Sequence, residues 1–333
     1  MKFLNKSIKV NQMVLNNRLV MPPMATAKSG EDGKVTEELC DYYNEKSNGG
    51  YIGLIITEHS YISPEGRASS GQLSISDDSD IEGLTKIVET IHKNGTKVMA
   101  QMNHAGAVAR PENKVTTNLG VSAIQLPNPK AEFNTPIEMS VTDIKKIIND
   151  FTNSAIRAKK AGYDGVEIHS AHGYLLNQFF SPLSNKRQDE YNGNTLDGRI
   201  KIHLDIIKSI RNAVGKEYPI ALRLGACDYI EGGITIEDSI YAAKKFEEAG
   251  VDLLDISGGF HYYSNPDSTK EGYFSELTMA IKNEVNIPVI LTGGVVTAIA
   301  ADNLLKENKA DLIGVGRAIL KDSNWAKNAF KEN

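Results

Sequence analysis

Residues 161–169 read Ala-Gly-Tyr-Asp-Gly-Val-Glu-Ile-His, and residues 249–257 read Ala-Gly-Val-Asp-Leu-Leu-Asp-Ile-Ser. In both, a Gly follows a stretch with helical periodicity and an Asp opens a short apolar run. This is the turn chemistry with which a helix ends and a strand begins. Lys309-Ala310-Asp311-Leu312 is a looser third copy. The echo argues for alternating helix and strand; any α/β protein reuses this turn, so the echo alone does not specify the arrangement.

Working outward, the same alternation runs along the chain. Apolar runs rich in Ile, Val and Leu fall at Arg18–Met24, Tyr51–Thr57, Lys97–Met102, Asp164–His169, Pro219–Leu224, Val251–Ser257, Pro288–Thr292 and Asp311–Gly316. Between them, Thr36–Asn48, Thr142–Lys160, Gly198–Ala213, Thr235–Ala249 and Val296–Asn308 read as helices. Near-continuous apolar runs without polar alternation predict strands buried on both faces. Eight such units with intervening helices predict a closed parallel (β/α)8 TIM barrel rather than an open sheet. Phe3–Asn16 is expected to form a hairpin closing the bottom. Two connections are long, Asn103–Ser140 after the third run and Ser170–Asp197 after the fourth. Both follow strands and so belong to the C-terminal rim, where barrel enzymes place their chemistry.

Composition fits this reading. The chain has 333 residues, 41% hydrophobic and 24% charged, with 28 Gly and 11 Pro, which argues against disorder, collagen-like repeats and coiled coil. No linker divides it, so residues 1–333 are expected to form one barrel domain. The formal net charge of −5 sets no expectation of nucleic acid or an anionic membrane as partner. The two cysteines, Cys40 and Cys227, form no C-x-x-C pair, which argues against a disulfide framework, a Cys-based zinc site and a Cys-ligated cluster. Ile52 to Ile56, interrupted by Gly53, is far too short to span a bilayer, and Met1–Val10 has no apolar signal core. The simplest location is the cytoplasm.

Residues that carry chemistry gather at the expected rim. Leu291-Thr-Gly-Gly-Val295 follows the seventh strand and Ile313-Gly-Val-Gly-Arg317 the eighth. Barrels often bind phosphate there through backbone N–H groups, with Arg317 adding charge; the plainer reading is two tight turns. Glu167-Ile-His169-Ser-Ala-His172-Gly-Tyr174 ends the fourth strand. Its imidazoles can donate to a substrate oxygen and its phenol can deliver a proton, or the histidines form a structural pair. No metal-ligating spacing is present, so no metal is expected. Arg223 inside an apolar strand must meet an anion or a buried carboxylate. Glu58 and Gln101 end strands two and three and point to the same mouth.

These residues carry a resemblance. Phe180-Ser-Pro-Leu-Ser-Asn-Lys-Arg-Gln-Asp-Glu-Tyr-Asn-Gly-Asn194 after the His-x-x-His-Gly-Tyr motif, Asn17-Arg-Leu-Val-Met-Pro-Pro-Met24, Gly53-Leu-Ile-Ile-Thr-Glu58, Gln101-x-x-His-Ala-Gly106 and the two glycine loops together resemble the old yellow enzyme family. The likeness extends from about Lys2 to Phe330. It implies an FMN-dependent ene-reductase using NADH or NADPH as electron donor and a small α,β-unsaturated carbonyl compound as acceptor. Pro23, Met24, Ala25 and Thr26 would lie against the flavin ring. Backbone near Ala25 and Glu58, with the Gln101 side chain, would bond its pyrimidine edge, and Arg223 would sit near N1 and the C2 oxygen. Reduced flavin is largely anionic there, which a fixed guanidinium favours. Ser257, Gly258, Gly259, Gly293, Gly294, Gly316 and Arg317 would surround the phosphate. In the implied ping-pong reaction, His169 and His172 bind the carbonyl oxygen, hydride reaches Cβ and Tyr174 protonates Cα. His169 would also border the flavin.

Departures from the family pattern point to the relatives of 2,4-dienoyl-CoA and enoate reductases. Position 25 is Ala where many bacterial members have Cys and yeast-type members Thr. Position 27 is Ala, and Ala107 replaces a customary Arg. The larger dienoyl-CoA reductases continue into a Cys-rich region and an FAD domain; this sequence has neither, so electrons are expected directly from a nicotinamide or a separate donor. His261 lies on the loop where such relatives carry a proton-delivering His, and is a candidate substrate contact. His104 and Tyr262 are candidate rim contacts, or loop packing. Relatives occur as monomers and homo-oligomers. Competing readings are another FMN barrel such as a dihydroorotate dehydrogenase, with a loop Ser or Cys as acid, a non-redox phosphosugar aldolase or isomerase, and a binding protein without turnover. The aldolase would want a strand-end Lys, and Lys97 begins its strand.

Overall fold

A computed structural model describes residues 1–110, 118–127 and 134–331. Its strands are β1 (Ile8–Val10), β2 (Met13–Leu15), β3 (Leu19–Met21), β4 (Leu54–Tyr61), β5 (Lys97–Asn103), β6 (Leu119–Gly120), β7 (Ile137–Glu138), β8 (Gly165–Ser170), β9 (Ile220–Gly225), β10 (Leu253–Ser257), β11 (Val289–Leu291) and β12 (Leu312–Gly314). Its helices are α1 (Glu37–Ser47), α2 (Ile81–Lys93), α3 (Val141–Lys160), α4 (Leu175–Phe180), α5 (Leu196–Val214), α6 (Ile236–Ala249), α7 (Ser275–Lys282), α8 (Ala298–Lys306), α9 (Arg317–Lys321) and α10 (Trp325–Lys331).

Eight parallel strands close in the order β3-β4-β5-β8-β9-β10-β11-β12, with β12 pairing back onto β3. Each of the eight apolar runs supplies one of them. The first strand stops at Met21 because Pro22 and Pro23 have no N–H to donate to a ladder. The second continues past Thr57 to Tyr61, four residues beyond the apolar run.

Helix starts follow local chemistry. The side chains of Thr36, Ser140, Thr195, Thr235 and Thr297 each accept a backbone N–H at a helix N-terminus, with reciprocal capping boxes at Ser140–Asp143 and Thr235–Asp238. Such a cap contributes about 1 kcal/mol. The fifth expected helix therefore begins at Ala298 rather than Val296, because Thr297 is its cap. α2 buries Leu84, Ile87, Val88 and Ile91 on one face, a spacing present in the sequence.

The antiparallel β1–β2 hairpin seals the barrel floor. Val10, Met13 and Leu15 pack against Val20, Leu54, Ile56, Met99, Ala221, Leu253, Ile290 and Leu312. One step up, the buried groups turn polar: register pairs Gln101 with Glu167, His169 with Arg223 and Arg223 with Asp255. The apolar plug below and the charged layer above direct the chemistry to the C-terminal ends of the strands. Among the described residues, no helix is long and apolar enough to cross a membrane.

Candidate active site

A cavity of about 320 Å³ opens at those strand ends. Its floor is the polar layer. Gln101 Nε2 donates to Glu167 Oε2 at 2.6 Å, and the Thr292 hydroxyl donates to Asp255 Oδ1 at 2.8 Å. Arg223 Nε lies 3.2 Å from Asp255 Oδ2, an ion pair too poorly aligned for a hydrogen bond. Arg223 thus meets a buried carboxylate on one side and borders the cavity on the other. Two carboxylates share this one guanidinium. Burial, and then the charge of Asp255, push Glu167 up to about 8, and its Oε1 has no hydrogen-bond partner among the described residues. Asp255 is also raised by burial, opposed by Arg223 and by the Thr292 hydrogen bond. Glu167 thus carries the proton at neutral pH.

The wall above is aromatic. His169 accepts the Ala171 N–H at Nδ1, 3.2 Å away, which leaves its hydrogen on Nε2. His172 has φ +61° and Gly173 φ +72°, a left-handed pair that turns the chain sharply after β8. That turn sets His172 Nε2 2.7 Å from the Ser257 hydroxyl at the end of β10. The two imidazoles meet edge to face at 5.0 Å, and Tyr174 meets His169 likewise at 5.1 Å. Burial holds both histidines well below their usual range, assisted for His169 by His172 and for both by Arg223. Burial, with Tyr262 beside it, pushes Tyr174 up to about 12. At neutral pH the site therefore presents two uncharged imidazoles and a protonated phenol.

Pro23, Met24, Ala25, Gln101, His169, His172, Tyr174, Arg223, Gly294, Gly316 and Arg317 all border the cavity. At the far end Arg317 Nη2 donates to the Tyr273 hydroxyl at 3.3 Å. The wall is tight at Gly314 and leaves little room at Gly316. A Cβ on Gly314 would stand 2.1 Å from Thr292 Oγ1, and one on Gly316 2.9 Å from Met24 Sδ.

Other expected residues lie off the wall. The Thr26 N–H donates to Glu58 Oε2 at 2.8 Å, and the Glu58 N–H donates to the Tyr43 hydroxyl at 2.8 Å. Glu58 and Thr26 thus brace the segment after β3, and the Glu58 N–H is already committed. Ser257 serves His172, while Gly258 packs against the Tyr262 carbonyl and Gly259 against Asp228. Gly293 lies against Phe274 and Tyr273, behind Gly294. The His261 ring meets Tyr229 edge to face at 6.4 Å and does not border the cavity. His104 is buried beneath Gly66. Tyr262 does border the cavity. Residues 111–117 and 128–133 of the long connection Asn103–Ser140 lie outside the described residues.

His59, Tyr263 and Tyr273 line the cavity without having been singled out in the sequence, and Thr292 does so from within the glycine loop after the seventh strand. None of the first three carries a motif of its own; His59 simply follows Glu58 in the sequence. Among the described residues no group of three His, Cys, Asp or Glu side chains could hold a metal ion.

Comparison with known proteins bears on this arrangement. Residues 4–333 match the model of the NADH:flavin oxidoreductase / NADH oxidase family. An NADH oxidase of Thermoanaerobacter brockii is 39% identical over 327 residues, 96% of this chain; the chain spans half the length of that protein. An NADPH dehydrogenase of Halalkalibacterium halodurans is 38% identical over 327 residues, covering 98% of this chain and 93% of the relative. The solved structure of the old yellow enzyme homologue from Zymomonas mobilis superposes with a TM-score of 0.86 at 25% identity, over 99% of this chain and 92% of that one.

Proposed function

The chain belongs to the NADH:flavin oxidoreductase / NADH oxidase family, the old yellow enzymes, and from that premise we propose that it is an ene-reductase. Family membership brings FMN as the flavin and NADH or NADPH as the electron donor. The observation that carries the finer reading is the convergence of two uncharged imidazoles and a protonated phenol over a cavity with a guanidinium in its floor.

The residues fit FMN. The wall formed by Pro22, Pro23, Met24 and Ala25 offers a flat apolar face. Gln101 and Arg223 offer a donor and a cation at one edge, suited to a pyrimidine ring that gains negative charge on reduction. At the other end Arg317, Gly294 and Gly316 offer charge and close backbone approach to a phosphate. When bound, FMN supplies hydride transfer, from the nicotinamide in one half-reaction and to the alkene Cβ in the other.

The chain's own groups do the rest. The His169 Nε2–H and the His172 imidazole bind the carbonyl oxygen of the acceptor and stabilise the charge that grows there. Their depressed pKa values keep them neutral donors, so they polarise the oxygen without surrendering a proton to it. Tyr174 holds the proton that goes to Cα, and solvent restores it. Arg223 borders the cavity as well as pairing with Asp255, so its guanidinium can also face a ligand.

Purified protein is expected to be yellow and to release FMN on denaturation. Anaerobic reduction by NADH or NADPH, followed by mixing with 2-cyclohexenone, should reoxidise it with loss of the C=C bond. A colourless protein that cannot be loaded with FMN would refute the reading. A yellow protein reoxidised by no alkene in a broad panel would favour another flavin chemistry.

A further inference from the structure

β4 and β5 pair with a register slip between Thr57 and Ser60. The slip falls on Glu58 and His59, and it divides them: the Glu58 carboxylate goes to Thr26 and Ser29, while His59 enters the cavity. His59 is only 9% exposed. Its ring is held from one edge. Gln72 Nε2 donates to the His59 carbonyl at 2.9 Å and lies 3.1 Å from His59 Nδ1. Gln72 Oε1 accepts the Ala68 N–H at 2.7 Å, which settles which end of that amide bears hydrogen. Asn103 Nδ2 lies 3.2 Å from the same Nδ1. Nδ1 is therefore an acceptor, and the ring hydrogen sits on Nε2. Nothing among the described residues hydrogen-bonds Nε2. Burial lowers the ring's pKa to about 4, with Arg223 adding to it, so this N–H stays a neutral donor.

The ring stacks on Tyr174 at 5.4 Å with a 27° interplanar angle and meets His169 at 6.2 Å. Around the barrel the order is His59 on β4, His169 on β8, then His172, which reaches β10 through Ser257. The pair proposed to hold the acceptor's carbonyl oxygen thus lies to one side of His59. No described side chain answers the Nε2–H, and a site built around a donor discriminates against ligands that cannot satisfy it.

We propose that His59 is a second oxygen-binding position of the substrate site, so that the site prefers alkenes bearing an oxygen group at both ends, such as enediones. This deepens the ene-reductase reading and rests on it for the place of the first oxygen.

The test uses FMN-loaded wild type with His59→Phe, which keeps a ring against Tyr174 and removes the donor, and His59→Gln, which restores an N–H. Dissociation constants are measured from flavin absorbance for 4-hydroxybenzaldehyde and 4-methylphenol, which carry two oxygens and one on the same ring. KM and kcat are measured for 2,2,6-trimethylcyclohex-5-ene-1,4-dione and 2-cyclohexenone. His59→Phe is expected to lower the preference for the two-oxygen member of each pair about tenfold, the scale of one neutral hydrogen bond, and His59→Gln to recover most of it. Equal weakening of both members would reduce His59 to packing against Tyr174, and an unchanged preference would remove it from the site; either overturns the proposal. Should the binding preference respond while neither alkene is reduced by wild type, the ene-reductase reading fails and the oxygen position stands.

Discussion

Tyr174 and Glu167 are both protonated at neutral pH, and for the same reason: burial disfavours the anion of each. Their uses differ. Tyr174 faces the cavity, and in its proposed role as acid Tyr174→Phe is expected to slow alkene reduction about 100-fold or more while sparing reduction by nicotinamide, which needs no Cα proton. Stopped-flow comparison of the two half-reactions checks this; equal losses would remove Tyr174 from its role. Glu167 sits in the floor, and its proton is a stability matter. Its folded pKa of about 8 lies above the ordinary 4.5, so between those values the unfolded chain releases a proton that the folded chain keeps. Wild-type stability from this group therefore falls as pH rises through that window. Glu167→Gln lacks that dependence, so its melting temperature relative to wild type should climb from pH 5 to pH 8. The family motif makes His169, His172, Tyr174 and Arg223 legible in the sequence. His59 is not legible, because the slip that turns it inward is a property of two paired strands, and nothing in the run Gly53–Glu58 announces it.

Elements at the rim are tied together by one carboxylate. Asp228, after β9, accepts the Ser181 hydroxyl at 2.6 Å and the Ile234 N–H at 2.9 Å on Oδ2, and the Phe260 N–H at 3.1 Å on Oδ1. Those donors come from the connections after β8, β9 and β10. Asp228→Ala would leave three buried donors without a partner and is expected to cost about 3 kcal/mol in denaturant unfolding, with faster hydrogen exchange at Ile234 and Phe260. Thr235→Ala, which removes a single helix cap, should cost only about 1 kcal/mol. The apolar runs located every barrel strand, because burial on both faces leaves a plain signal. Strand and helix ends were less legible. They depend on where prolines stop a ladder, as at Pro22, or where a cap such as Thr297 outbids the preceding valine. Ser257, Gly258 and Gly259 show the same limit. The sequence places them after β10, but only the packing of their own loop reveals that Ser257 serves His172 and that the glycines face Tyr262 and Asp228.

Across the molecule, five histidines are held in neutral form, His59, His104, His169 and His203 buried and His172 half-buried. Each has a folded pKa below the ordinary 6.5, so the unfolded chain binds protons that the folded chain refuses. Stability should be intact above about pH 6.5 and fall as pH drops toward 4, at up to about 1.4 kcal/mol per histidine per pH unit. A melting-temperature profile that stays flat across that range would contradict the neutral assignment. Barrel closure itself was inferred by counting units, since β12 meets β3 across nearly the whole chain and no local pattern records such a pairing. The plug formed by Val10, Met13 and Leu15 has a kinetic consequence. Among the described residues the vessel is blind-ended, so in the proposed reaction the nicotinamide and the alkene share one doorway and take turns in it. Initial rates should therefore give parallel double-reciprocal lines, and excess nicotinamide should inhibit until more alkene crowds it out.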